Sequence, residues 1–161
     1  MEDVNIKYFH GNKFQGFLIP TQFQQLEQLQ DEENPNFLKE VFSSYFMDTT
    51  RKYAEIEQNL HQESSGKQGE DMNRLIQRLR GSVLNIGALK ALNEVNKMRY
   101  FFEEGNLEGF KAAFEQVKME NENLRVKIDP YFQLLEQVGS SGKEDIPGSL
   151  ARSLAESFTL K

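Results

Sequence analysis

The chain contains no cysteine. That excludes a disulfide framework and thiolate metal sites, and it fits a reducing, intracellular setting. Histidine is scarce: only His10 and His61 occur. Neither stands three or four residues from a second ligand type in the matched pattern of a metal-binding bundle, so no metal or other cofactor is expected. There is no bilayer-length apolar run, and the polar Met1–Tyr8 segment has no hydrophobic signal core. Neither secretion nor a membrane partner is expected. A basic surplus is missing too. The formal net charge of -6 and pI near 5.1 oppose nucleic-acid binding, which needs cations to neutralise phosphates. Serines stand apart from any Gly-rich elbow, and no phosphate-cradling loop occurs, which argues against an autonomous hydrolase or kinase. The partner class that remains is protein.

What is present suffices for one core: 161 residues, 38% hydrophobic, with thirteen phenylalanines. Phe14, Phe17 and Leu18 close a short first segment. Pro20 with a Thr21/Gln24 capping box then predicts a helix whose stripe is Phe23, Leu26 and Leu29. Asn34 and Pro35 predict a second start, with Asn as cap and Pro in the first turn. Beyond it Leu38, Val41, Tyr45, Thr49, Tyr53, Ile56 and Leu60 recur at helical spacing, widened by Phe42 and Phe46. Residues 62–69 are polar, with two glycines, and predict a mobile loop.

Met72, Leu75, Ile76, Leu79, Val83 and Ile86 form the next inward face, with Gly87 as a left-handed stop. Leu92, Val95, Met98 and Phe102 follow, until Gly105 stops one helix and Asn106 caps another. The last stripe runs Leu107, Phe110, Phe114, Val117, Asn121, Leu124 and Ile128, with Asn121 its polar exception. Pro130 predicts a kink near Asp129, or an end and restart, before Tyr131, Leu134, Leu135 and Val138. From Gly139 the composition turns to Gly, Ser and Lys around Pro147, with a weak pattern at Leu150, Leu154 and Phe158. The expected organisation is a domain over residues 1–138 and a largely disordered tail over 139–161. The expected fold is all-α: an up-down-up-down four-helix bundle with additional N-terminal helices across one end.

The unusual stretch is MNRLIQRLRGSVLNIGA, Met72 to Ala88. Gly81 sits in mid-helix, where glycine costs about 1 kcal/mol relative to alanine. Gln77 lies one turn earlier on the same outward face, so the missing side chain would let a partner backbone approach position 77. Arg74, Arg78 and Arg80 surround Gln77 and make a basic spot on an acidic protein, suited to an acidic pocket or a phosphoryl group. The plain alternative is that these residues solvate an outer helix face, and Gly81 brings the two readings to even odds. His61, at a predicted helix end, suits the negative terminus of the dipole and reads as structural, as does His10 beside Gly11.

RLRGS followed by IGA resembles the signature of histidine-containing phosphotransfer proteins, His-x-Leu-Lys-Gly-Ser with small residues before Ile-Gly-Ala. The plant branch fits best, because LEQLQDEENPNFLKEVFSSYFMD, Leu26 to Asp48, is similar to its early helices. The likeness runs from about Phe14 to Val138. It implies a four-helix bundle with extra N-terminal helices, in a family that passes a phosphoryl group between receiver domains of sensor kinases and response regulators, in plants mainly for cytokinin. The phosphate-accepting histidine of the motif falls on Gln77. Leu79, Gly81, Ser82, Ile86, Gly87 and Ala88 match, and Arg80 replaces a lysine with charge retained. Val83, Leu84 and Asn85 stand where small serines are usual.

An imidazole nitrogen can attack an aspartyl phosphate, whereas the electrons of an amide are delocalised and non-nucleophilic. The resemblance therefore implies a pseudo-phosphotransfer protein, not an enzyme, with no catalytic residue. It is expected to dock receiver domains through Gln77, Arg78, Arg80, Gly81, Ser82, Arg74 and Leu84, joined by Phe23 and Leu26 from the first helix. A monomer acting in cytoplasm and nucleus as a negative modulator is expected. Two alternatives stand beside it: a relay mediator using His10 or His61, and a non-catalytic helical adaptor for unrelated partners.

Overall fold

Side chains at three- and four-residue spacing form every regular element in a computed structural model that describes Phe14, residues 16–61 and residues 68–140. The helices are α1 (Pro20–Leu29), α2 (Phe37–His61), α3 (Gln68–Ile86), α4 (Leu89–Glu103) and α5 (Leu107–Ser140). No strand occurs among the described residues, only an isolated antiparallel bridge between Leu18 and Ala88. Helices α2 to α5 run up-down-up-down as a four-helix bundle, the fold the periodicity predicts. Of the additional N-terminal helices expected, α1 is described. Residues 1–13, including His10, lie outside the described residues, as do 62–67 of the expected loop and 141–161 of the expected tail. Helix α5 itself continues to Ser140.

Burial follows the predicted stripes closely on α3, where Met72, Ile76, Leu79, Val83 and Ile86 are all in the core and Leu75 is half-buried. On α2 the centre of the stripe is Phe42, fully buried, while Val41 and Tyr53 lie at its margins. Leu29 and Leu107, both expected inside, are 61% and 51% exposed. Leu29 is the last residue of its helix and Leu107 the first of its own.

Asn121, the polar exception, is 4% exposed. Its Oδ1 accepts from the Tyr45 hydroxyl at 2.6 Å, and its Nδ2 donates to the Tyr53 hydroxyl at 2.5 Å. Both faces of the amide are therefore satisfied between α2 and α5, which is what a buried polar side chain requires.

Two helix starts differ from expectation. Pro20 is the first residue of α1 and Ile19 its cap, with no side-chain cap bond, so the Thr21/Gln24 box does not open the helix. Ile19 enters extended because its N–H donates to the Gly87 carbonyl at 2.7 Å, and Pro20 supplies the preset φ. Helix α2 starts at Phe37, two residues beyond Pro35. There Gln30 Oε1 takes up an early helix donor, the Leu38 N–H at 3.0 Å, while Asn34 accepts the Phe37 N–H through its backbone carbonyl at 3.3 Å.

Pro130 neither ends nor restarts a helix: α5 is one continuous element of 34 residues. Ile128, Tyr131, Phe132 and Leu134 are buried on both sides of it. Their packing outweighs the backbone bond that proline removes, a loss of about 3 kcal/mol. The far half of α5 thereby reaches α1 and the start of α2, where Tyr131 meets Phe14 and Phe23 and Phe132 meets Phe42, at ring-centroid distances of 5.5 to 6.1 Å.

The α4–α5 turn forms as predicted. Gly105 has φ +72, and Asn106 Oδ1 accepts the Gly109 N–H at 2.9 Å.

Candidate functional site

Helix α3 carries the candidate site. Its buried residues define one face, and the opposite face presents Arg74, Gln77, Arg78 and Gly81, all exposed. Gly81 lies within the helix, and a Cβ added to it would meet no atom within 4 Å. Nothing inside the fold requires glycine there, although an alanine would stabilise the helix. Gly87 is the opposite case. Its φ is +77, and a Cβ would lie 2.8 Å from Gln22 Cβ, because α1 passes directly over the α3–α4 turn. The bridge pairing Leu18 with Ala88 fixes that approach, through Ile19 N–H to the Gly87 carbonyl and Leu89 N–H to the Phe17 carbonyl.

Gln77 shares a shallow depression of about 180 Å³ with Asn73, Ile76, Arg99 and Glu103. Arg99 Nε donates to Glu103 Oε1 at 3.2 Å, so the depression has one neutralised ion pair at its α4 wall. Arg80, half-buried, donates from Nε to Asn96 Oδ1 at 3.0 Å. Arg74 stands 3.6 Å from Asp71. Arg78 makes no ion pair among the described residues.

The predicted set is only partly brought together. Gln77, Arg74, Arg78, Gly81 and the half-buried Leu84 share the outward side of α3. Ser82 instead faces α2: its hydroxyl donates to Asp48 Oδ2 at 2.9 Å. The Lys52 ammonium hydrogen-bonds the same carboxylate and, with a smaller contribution from Ser82, holds Asp48 below the ordinary carboxylate range against the opposing effect of burial.

Phe23 does not belong on a partner surface. It is 2% exposed, with its ring centroid 5.3 Å from that of Phe14 and 6.3 Å from that of Phe42. The α1 stripe faces its own bundle, and Leu26 is half-buried against the same core. Arg99, Glu103 and Asn96 had not been anticipated at the site. Their one-turn spacing on one side of α4 is visible in sequence, and the short Gly87 link sets α4 beside α3, but which face of α4 turns toward Gln77 is not legible there.

Among the described residues no group of three His, Cys, Asp or Glu side chains could hold a metal ion, and no helix is long and apolar enough to cross a membrane. His61 is exposed in the last turn of α2.

Fold and site together define an all-helical bundle in which α3 presents exposed arginines around a mid-helix glycine. A rice protein, pseudo histidine-containing phosphotransfer protein 2, is 39% identical over 146 residues, covering 86% of this chain and 93% of the relative. Rice pseudo histidine-containing phosphotransfer protein 5 is 43% identical over 133 residues, covering 83% and 86%. Histidine-containing phosphotransfer protein 4 of Arabidopsis thaliana is 40% identical over 126 residues, covering 76% and 94%. Among solved structures, a histidine-containing phosphotransfer protein from rice superposes with a TM-score of 0.70 at 27% identity, covering 86% of this chain and 96% of that one. The corresponding Medicago truncatula protein also gives 0.70, at 26% identity with 89% and 96% covered. No family model matches the chain. The chain belongs to the plant histidine-containing phosphotransfer protein family, with pseudo members among its relatives.

Proposed function

We propose that this chain is a pseudo-phosphotransfer protein. It docks receiver domains of sensor kinases and response regulators through the outward face of α3, takes up no phosphoryl group, and so dampens the relay as a monomer in cytoplasm and nucleus. The observation that carries the reading is the pairing of exposed Gln77 with Gly81, one turn on, whose open surroundings give the fold no reason to keep glycine. A partner backbone approaching over Gly81 would meet Gln77, the position that corresponds to the family's phosphate-accepting histidine. An amide there offers hydrogen bonds but no nucleophile.

Arg74, Arg78 and Arg80 steer an acidic receiver site, and Leu84 with the edge of Leu26 adds apolar contact. Such an interface is of transient size, about 1,200 Å² or less in total, with micromolar affinity corresponding to about 8 kcal/mol. Damping therefore requires an abundance comparable to that of the active carriers.

The test mixes the protein with receiver domains carrying a labelled phosphoryl group and follows binding and transfer. Wild type is expected to bind without acquiring label, and Gln77→His to acquire acid-labile label. Label on wild type would overturn the reading in favour of a carrier using His10 or His61. Absence of binding would overturn it in favour of an unrelated adaptor.

A further inference from the structure

What replaces the nucleophile has its own chemistry. The Gln77 amide carries two N–H donors and one acceptor oxygen, and the side chain is exposed. An imidazole acts on phosphorus through a bare lone pair, while this amide can only bond to the oxygens around it.

Three guanidinium groups lie within about one turn of Gln77, on a chain whose net charge is -6. Arg78 is exposed with no ion-pair partner among the described residues. Arg80 spends Nε on Asn96 and keeps its terminal nitrogens for other acceptors. Arg74 is held only at 3.6 Å by Asp71. The carboxylate that lines the depression with Gln77, Glu103, is already paired with Arg99 and does not leave an unbalanced negative charge facing an anion. Gly81 leaves room for close approach. The face is therefore rich in donors for planar or tetrahedral oxyanions and contains no group able to accept the phosphoryl itself.

Resting on the receiver-docking reading, we infer that the Gln77 face is a phosphoryl-recognition site that binds the phosphorylated receiver in preference to the unphosphorylated one. An aspartyl phosphate adds negative charge and acceptor oxygens to the carboxylate it modifies, and the donors around Gln77 match them. One or two added charge-assisted hydrogen bonds correspond to a preference of roughly tenfold or more. The protein then sequesters receivers in their activated state, and its damping grows with traffic through the relay.

The experiment titrates the full chain with a receiver domain in two states, untreated and carrying fluoroberyllate as a mimic of the aspartyl phosphate. Wild type is expected to bind the fluoroberyllate form roughly tenfold more tightly. Gln77→Met keeps side-chain length at an exposed position and removes the amide. It is expected to lower the preference, read as the ratio of the two affinities, about fivefold, with any loss on the untreated form measured separately. Equal affinity of wild type for both states overturns the inference while receiver docking stands. Undiminished preference in Gln77→Met overturns the part assigned to the amide. Absence of binding to either state overturns the docking reading itself.

Discussion

The Ser82 hydroxyl donates to Asp48 Oδ2 across 2.9 Å, linking the middle of α3 to α2. A serine that the motif makes part of a docking face is thereby committed to the fold. Ser82→Ala is expected to cost about 1 kcal/mol in denaturant unfolding and to leave receiver affinity within a factor of two.

That bond also sets a pH dependence. Lys52, and after it Ser82, lower the Asp48 carboxyl from its ordinary value in the folded state. Stability from a depressed carboxylate is present above the unfolded value and is lost as pH falls through the folded one. The stability difference between wild type and Ser82→Ala is thus expected to be constant near neutrality and to shrink in acid, below the ordinary carboxylate range. Chemical denaturation across that range checks it.

Gly81 and Gly87 should respond oppositely to alanine. Gly81→Ala fills open space on a helix and is expected to stabilise by about 0.5–1 kcal/mol while weakening receiver binding. Gly87→Ala strains a positive φ and drives a Cβ into Gln22, so a loss of about 1–3 kcal/mol is expected. Thermal unfolding paired with a binding titration separates the two.

Phe23→Ala tests the corrected assignment of α1. Removal of a buried ring should cost about 3–5 kcal/mol in stability. At a temperature where the variant remains folded, receiver affinity should change far less than for Arg78→Ala.

Asn121→Ala leaves the buried Tyr45 hydroxyl without its acceptor and opens a small void between α2 and α5. A loss of about 2–4 kcal/mol is expected, measured as a shift in the unfolding midpoint.

Much of the molecule was legible one helix at a time. The inward set from Met72 to Ile86, the stops at Gly87 and Gly105, and the Asn106 cap depend on residues within about one turn of each other, and short-range sterics decide them. Leu29 and Leu107 were misread because periodicity marks which face is apolar but not whether each position along it, the helix ends above all, is covered. At Pro130 the alternative of an end and restart fails for a related reason: local backbone rules allow a break, and packing of Tyr131 and Phe132 against distant aromatic rings holds one continuous helix. The cap of α2 was missed because Gln30 reaches it across a loop.

By itself the sequence determined that this is a helical chain and that position 77 bears an amide, which cannot act as a nucleophile in any conformation. Only the tertiary structure decided which neighbours of Gln77 remain open to a partner. The helices before and after α3 engage Ser82 through Asp48 and Arg80 through Asn96, while α1 turns Phe23 into the core. Gly81 is met by nothing. Hydrogen bonds and burial depend on which surfaces meet in three dimensions, and that is settled by packing the whole bundle rather than by the pattern along any one helix.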